Sequence, residues 1–298
     1  MTIVVAGGSG LIGTALIRAL LSEGHTVVVV DKRGPRLTHE HLFFIPCDLT
    51  EQILPFNILE RTDAVINLVG SSPYRKWTPA VKKDIYESRV VATKHLIESL
   101  SHTVNKPSIV ISASSTALYA EAPEDIDERG TKGNTFLSDV TAEMEQEAFR
   151  AESFGCRVVV VRLAPVLAHS GFLAPLWRWA QWRLCIPYFK KDHWMSWIHL
   201  DDAVAVYRFA LETHTLQGVV NATAPTPVRY KSFMKTFRRI TKSLFFGRSL
   251  LAPLRFGREM LRVFALNQRV VPQRLLDKGF SFAYPDIASA LEQLYEKN

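Results

Sequence analysis

Cysteine is scarce in this chain: Cys47, Cys156 and Cys185 are the only three among 298 residues. They are too few and too scattered for a disulfide framework or a zinc site. A reducing compartment fits such usage, so a cytoplasmic location is expected. Long apolar runs are also missing, and no stretch approaches the roughly 20 residues a membrane-spanning helix requires. A secretory leader is excluded on the same reading, because the first strand starts at residue 2 and cleavage would remove the loop behind it. There is no internal repeat, no low-complexity tract, no metal-ligand cluster and no recognised nucleic-acid motif. What is present is a large apolar fraction, 47%, enough for one sizeable domain or one domain with a smaller lobe. Basic residues outnumber acidic ones, giving a net charge of +7. An acidic ligand, nucleic acid or an anionic surface would each suit that sign, so its location decides its meaning.

The glycines are concentrated where they carry chemistry. Ile3-Val4-Val5-Ala6 reads as a buried strand, and Gly7-Gly8-Ser9-Gly10-Leu11-Ile12-Gly13 follows directly. An amphipathic helix then runs through about Glu23, with Leu11, Ile12, Ala15, Leu16, Ala19 and Leu20 on one face. Glycines at 8, 10 and 13 satisfy G-x-G-x-x-G, and those at 7, 10 and 13 satisfy G-x-x-G-x-x-G. A pyrophosphate needs bare backbone at this turn, and the helix start supplies free N–H groups and partial positive charge. The strand-then-helix context is what gives the motif its weight.

Strands and helices alternate for about 160 residues, which predicts a doubly wound α/β fold with a parallel sheet. Thr26–Val30 forms the second strand, and Asp31 ends it where an acidic side chain takes ribose hydroxyls. Lys32 and Arg33 follow and suit a 2′-phosphate instead, so NAD(H) and NADP(H) both stay open. Leu42–Ile45 and Ala64–Asn67 read as strands, the latter ending in Leu68-Val69-Gly70 at the carboxyl edge. Asp48 is placed to reach an adenine amino group. Helices are predicted over 77–100, 136–154 and 203–211, with Asp201 or Asp202 as the N-cap of the last. Strands are predicted over 108–112, 158–163 and 219–223. Trp177, Trp179 and Trp182 fall at helical spacing, which favours packing over a sugar platform.

The tail is different in composition. Residues 229–278 hold thirteen Lys/Arg and two acids, Glu259 and Asp277, a local net charge above that of the whole chain. Phe233, Phe237, Phe245, Phe246, Phe256 and Phe264 are interleaved at core-like spacing. The favoured reading is an amphipathic helical lobe with a solvated basic face. An anionic substrate, nucleic acid or a membrane surface are the functional alternatives.

These residues together resemble the extended short-chain dehydrogenase/reductase superfamily, in its NAD-dependent epimerase/dehydratase branch. Within it the chain resembles the "epimerase family" proteins sometimes labelled cell-division-inhibitor-like. Gly7–Gly13 matches the phosphate loop, Asp48-Leu49 the adenine-binding pair, and Asn67-Leu68-Val69-Gly70 an N-L-A-G turn. Arg75-Lys76-Trp77-Thr78 with Ser88-Arg89 resembles R-x-W-T…S-R. Trp194–Asp202 resembles M-S-W-I-H-x-D-D, and Asn221–Pro225 resembles N-A-T-A-P. Arg269-Val270-Val271-Pro272, Gly279-Phe280 and Tyr284-Pro285 resemble the group's own C-terminal domain. The resemblance implies an NAD(P)(H) cofactor and a Rossmann-type domain over 1–225, with a mostly helical C-terminal domain over 226–298. It places Pro165 near the nicotinamide and Arg89, Trp197 and His199 on the substrate side. A small, anionic substrate and a homodimer are compatible with it, and nucleic acid is not expected.

Catalysis in the superfamily rests on Tyr-x-x-x-Lys and a Ser. None of the eight tyrosines has a lysine four residues later. Leu137 stands where the Tyr belongs and Thr141 where the Lys belongs. Relatives that lack the pair carry Cys near Thr141 and Trp near Met144, and both are absent here. Ser115, with Ser114 beside it, occupies the Ser position. Tyr119 and His199 are the candidate proton donors, Tyr119 being the preferred one. The resulting expectation is an atypical oxidoreductase or epimerase-like protein. The alternative is a dinucleotide-binding regulator or scaffold without turnover.

Overall fold

The chain is described by a computed structural model that covers residues 1–189, 192–247 and 252–296. β1 (Thr2–Ala6) opens the chain, followed by α1 (Leu11–Ser22), β2 (Thr26–Asp31) and β3 (Leu42–Pro46). Next come β4 (Ala64–Asn67), α2 (Pro79–Tyr86), α3 (Ala92–Ser101), β5 (Ile109–Ser115) and a two-residue strand, β6 (Asp125–Ile126). α4 (Phe136–Phe149) and β7 (Arg157–Leu163) complete this half. The short strands β8 (Val166–Leu167), β9 (Leu184–Cys185), β10 (Trp194–Met195) and β11 (Ile198–His199) then surround α5 (Ala174–Ala180). α6 (Leu200–Glu212) and β12 (Gly218–Ala222) return the chain to the sheet.

The seven-stranded sheet runs in the order β12-β7-β5-β4-β1-β2-β3, and every pairing is parallel. Valine and isoleucine dominate its central strands because both faces are covered. One face packs on α1 and α6 through Leu16, Ile17, Val206 and Ala210. The other packs on α3 and α4 through Leu96, Ile97, Leu100 and Ala148. From β1 the chain builds outward through β2 and β3, then crosses back to lay β4 on the other side of β1. That reversal leaves a crevice at the carboxyl ends of β1 and β4, the place where such sheets receive ligands.

The remaining elements are β13 (Val228–Arg229), α7 (Tyr230–Ile240), β14 (Leu244–Phe245), α8 (Ala252–Phe256) and α9 (Arg258–Val263). β15 (Arg269–Val270), α10 (Gln273–Asp277) and α11 (Ile287–Glu296) end the chain. Their core joins Leu167, Leu173, Leu176, Trp177 and Trp197 to Phe233, Phe237, Leu291 and Leu294. The lobe therefore draws its apolar side chains from stretches on both sides of residue 225. No helix of the described residues is long and apolar enough to cross a membrane.

Several local expectations are revised. The helix predicted over 77–100 is continuous from Pro79 to Ser101 but widens into a π-helical turn at Glu87–Val91, between α2 and α3. Thr78 caps its start by accepting from Val81 N, with Pro79 at the first helical position. The N-cap of α6 is His199 rather than Asp201 or Asp202: its Nδ1 accepts from Asp201 N at 3.1 Å. Asp202 is buried and accepts instead from Ala283 N and Tyr284 N, at 2.8 and 3.0 Å. Only Trp177 of the tryptophan triplet is in the core; Trp179 is 39% and Trp182 76% exposed. In the basic segment Phe233, Phe237 and Phe256 are buried as expected, but Phe245 and Phe246 are exposed. Residues 248–251 of that segment lie outside the described residues.

Candidate functional site

Gly7 makes the crevice possible. Its φ is +78°, and a Cβ there would lie 2.7 Å from Leu68 C and Val69 N of the β4 turn. The loop and the turn touch backbone to backbone, which only glycine permits. Gly8 faces the other way: a Cβ there would strike Val29 and Ile17 at 2.8 and 2.9 Å, so its role is to seat α1 on the sheet. Gly10 is the N-cap of α1 without a side-chain cap, and the first turn carries no acid. The N–H groups opening this helix therefore face the crevice without a carboxylate to satisfy them, an arrangement that attracts an anion. Gly7, Gly10, Leu11, Ile12 and Gly13 all line it.

At the outer end, Asp31 accepts from both Ser9 N (3.0 Å) and Ser9 Oγ (2.6 Å). The carboxylate thus braces the glycine loop. Lys32 Nζ turns to Asp48 Oδ2 at 2.6 Å, while Arg33 is exposed. Burial opposes ionisation of Asp48, but Lys32 and Thr50 outweigh it and hold its carboxyl below the usual carboxylate range. Leu49 is buried beneath. Asn67 shapes the turn after β4: its Nδ2 donates to Thr93 Oγ1 and Ser112 Oγ, and its Oδ1 accepts from Val69 N. Leu68, Val69 and Gly70 are left lining the crevice.

The crevice widens into a cleft of about 440 Å³. Ser114, Ser115 and Pro165 form its sheet side, and Phe172, Met195, Phe264 and Gln268 form its lobe side. Leu137, Thr141 and Met144 of α4 also line it, so the positions expected to hold Tyr and Lys do face the cleft and carry no ionisable group. Ser115 Oγ accepts from Ala117 N at 3.1 Å, which leaves its own proton available to a ligand oxygen. Ser114 Oγ donates to Glu145, whose carboxylate also receives Arg162 Nε and Nη2 at 2.8 and 2.7 Å.

Tyr119 departs from the expectation of a catalytic phenol. It is completely buried, does not line the cleft, and is held by Arg162 Nη1 (2.8 Å) and Asn221 Oδ1 (2.7 Å). Burial pushes its pKa up, against the opposing pull of Arg162. Trp197 and His199 likewise sit behind the wall rather than on it. Trp197 is fully buried and donates Nε1 to Thr226 O, and His199 pairs Nε2 with Gln293 Oε1 at 3.0 Å. Their neighbours Trp194, Met195 and Ser196 supply the lining.

Arg89 does reach the cleft. The π-helical turn carries it under Gly70, where a Cβ would lie 3.4 Å from the guanidinium carbon. Its Nη1 is buried without a hydrogen-bond partner among the described residues. Burial pushes its pKa down to about 10, with Tyr74 and Asp84 opposing that fall. Asp84 itself is bound to Arg75. Tyr74, which sequence reasoning missed, lines the cleft with its ring 4.9 Å from Phe264. Burial raises its pKa and Arg89 lowers it. Glu145 was also missed, though it stands one helical turn beyond Thr141.

The profile of the NAD dependent epimerase/dehydratase family matches residues 3–222, and a domain of unknown function, DUF1731, matches 250–294. Epimerase family protein YfhF of Bacillus subtilis is 30% identical over 312 residues, covering 99% of this chain and 98% of its own. Epimerase family protein SDR39U1 of Bos taurus is 30% identical over 315 residues, covering 99% of both. The crystal structure of human epimerase family protein SDR39U1 (isoform 2) with NADPH superposes with a TM-score of 0.88 at 26% identity, covering 100% of both chains.

Proposed function

The chain belongs to the NAD-dependent epimerase/dehydratase family, and on that footing we propose that it binds NAD(P)(H) and oxidises or reduces a small anionic substrate. The observation that carries this reading is the juxtaposition in one cleft of an uncapped glycine-loop helix start, Ser115, and the partnerless Arg89 guanidinium nitrogen. The residues fit the cofactor: Gly7 and Gly10 bring bare backbone to its phosphates, Asp31 braces the loop, and Lys32 and Asp48 stand at the adenosine end. A nicotinamide bound beside Pro165 supplies hydride to a carbonyl carbon or takes it from an alcohol carbon.

Ser115 Oγ donates its free proton to the substrate oxygen and orients it. Arg89 holds the substrate's anionic group, because a desolvated guanidinium with no carboxylate hydrogen-bonded to it among the described residues gains most from a ligand that brings one. Tyr74 Oη delivers the proton to the oxygen on reduction and takes it back on oxidation. Burial keeps the Tyr74 phenol protonated at rest, and the positive charge of Arg89 offsets part of the cost of the phenolate, the part a lysine plays in the usual dyad. Leu137 and Met144 keep water from the reacting carbon.

The test follows nicotinamide absorbance with panels of oxo acids and nucleotide sugars. Tyr74→Phe and Ser115→Ala should each lower kcat by about 10²-fold or more, and Arg89→Gln should raise KM and lower kcat together. Undiminished turnover in the first two variants would remove these assignments. A second reading, a dinucleotide-binding regulator without turnover, is favoured by Leu137 and Thr141 at the dyad positions. It requires saturable NAD(P)H binding and thermal stabilisation, and hydride transfer to any substrate defeats it.

A further inference from the structure

Two turns of the lobe lie side by side and push apolar side chains into solvent. Trp182 follows α5, while Leu244, Phe245 and Phe246 form and follow β14. β14 pairs in parallel with β9, placing Leu244 opposite Leu184 and Phe245 opposite Cys185. Leu244 N donates to Arg183 O at 2.7 Å and Phe246 N to Cys185 O at 3.2 Å, so the turns are stitched together. Trp182 is 76%, Leu244 73%, Phe245 59% and Phe246 66% exposed. Each turn holds a non-glycine residue at positive φ, Arg183 at 53° and Lys242 at 51°. Such backbone is costly for these residues, and here it sits in the turns that present the patch.

The segments that carry the patch are basic. Arg178, Arg183, Arg238, Arg239 and Lys242 are all exposed on the adjoining α5, α7 and turn residues. Neither 174–189 nor 229–247 contains a single Asp or Glu. Asp192 accepts from Lys231 N at the opposite end of α7, and α11, which packs on α7, brings Glu292 and Glu296. α7 buries Phe233 and Phe237 against the lobe core and leaves its basic residues outside. An aromatic and aliphatic tip flanked by Lys and Arg that form no ion pair among the described residues matches an anionic bilayer surface: the rings enter the headgroup–acyl boundary while the cations meet lipid phosphates. A rigid protein partner would have to present both an apolar socket and an acidic rim, and nucleic acid offers no apolar phase for Leu244 or Phe246.

We propose that this lobe surface, Trp182 with Leu244, Phe245 and Phe246 inside a ring of arginine and lysine, docks the protein peripherally on anionic membranes. No element spans the bilayer in this arrangement, and the coenzyme crevice is separate from the residues that insert.

The experiment is co-sedimentation of the full chain with phosphatidylcholine vesicles, with and without phosphatidylglycerol, at low and high NaCl. Binding is expected with phosphatidylglycerol and should weaken steeply with salt. Trp182→Ser combined with Phe245→Ser should reduce the partition at least about tenfold, as should Arg238→Glu combined with Arg239→Glu. Unchanged thermal midpoints and NADPH binding in these variants establish that the fold is intact, and Trp182→Ser alone provides a milder variant should the double one unfold. No vesicle binding at low salt, or binding that neither pair of substitutions alters, overturns the proposal. So does a concentration-dependent dimer, or retention of duplex DNA, that the aromatic substitutions abolish while vesicles are ignored.

Discussion

Gly7 and Tyr119 illustrate how a single atom decides a residue's work. At Gly7 a methyl group would meet backbone atoms at 2.7 Å, and the φ of +78° would add strain. Gly7→Ala is expected to cost at least about 1–2 kcal/mol of stability and to weaken dinucleotide binding about tenfold or more, read by thermal melting and by NADPH fluorescence titration. Tyr119 carries its hydroxyl between Arg162 and Asn221. Removing it leaves a buried amide oxygen and a guanidinium N–H short of a partner. Tyr119→Phe should therefore lower stability by about 1–3 kcal/mol while leaving kcat within a small factor of wild type. Tyr74→Phe should do the reverse, and a kcat loss confined to Tyr119→Phe would exchange the two roles.

Elements act here through the ties at their ends. Lys32 after β2 and Asp48 after β3 join the two outer turns of the sheet. Because the Asp48 carboxyl is held below its ordinary value, its contribution is present above the unfolded value of 3.8 and is lost as pH falls through the lower folded value. Asp48→Asn should flatten that acid limb in a plot of thermal midpoint against pH, and an unaltered limb would mean the pair contributes nothing. α4 and β7 are joined more deeply, by Glu145 with Arg162. Glu145→Ala strands a buried guanidinium and is expected to cost about 3–5 kcal/mol in a denaturant titration. The π-helical turn between α2 and α3 is the third such device, since it is what carries Arg89 to the cleft.

Across the whole molecule, the lobe is strapped to the sheet domain by polar contacts. Asp202 at the start of α6 accepts two backbone N–H groups from Ala283 and Tyr284, and burial raises its pKa despite them. Asp202→Ala leaves both amides unpaired and should loosen the C-terminal segment, seen as faster hydrogen exchange near 283–291 and a stability loss of about 1–3 kcal/mol. Exchange unchanged in that segment would show that the strap is dispensable.

What the sequence determined by itself was most of what depends on neighbours in the chain, the cap of α6 being an exception. The valine-rich strands, the glycine loop with its helix, the parallel sheet and the vacant Tyr and Lys positions were all legible, because strand pattern, turn conformation and motif spacing are local properties. The π-helical turn at Glu87–Val91 was not, since the 77–100 stretch carries helical apolar spacing on both sides of it. Nor did spacing distinguish Phe245 from Phe237, or Tyr119 from Tyr74. Those differences depend on which distant segment covers each side chain: Asn221 and Arg162 enclose Tyr119, the cleft receives Tyr74 and Arg89, and nothing among the described residues closes over Trp182 and Phe246. Burial is a property of stacked elements, so tertiary structure alone decided which ionisable groups face the cleft and which hold the fold together.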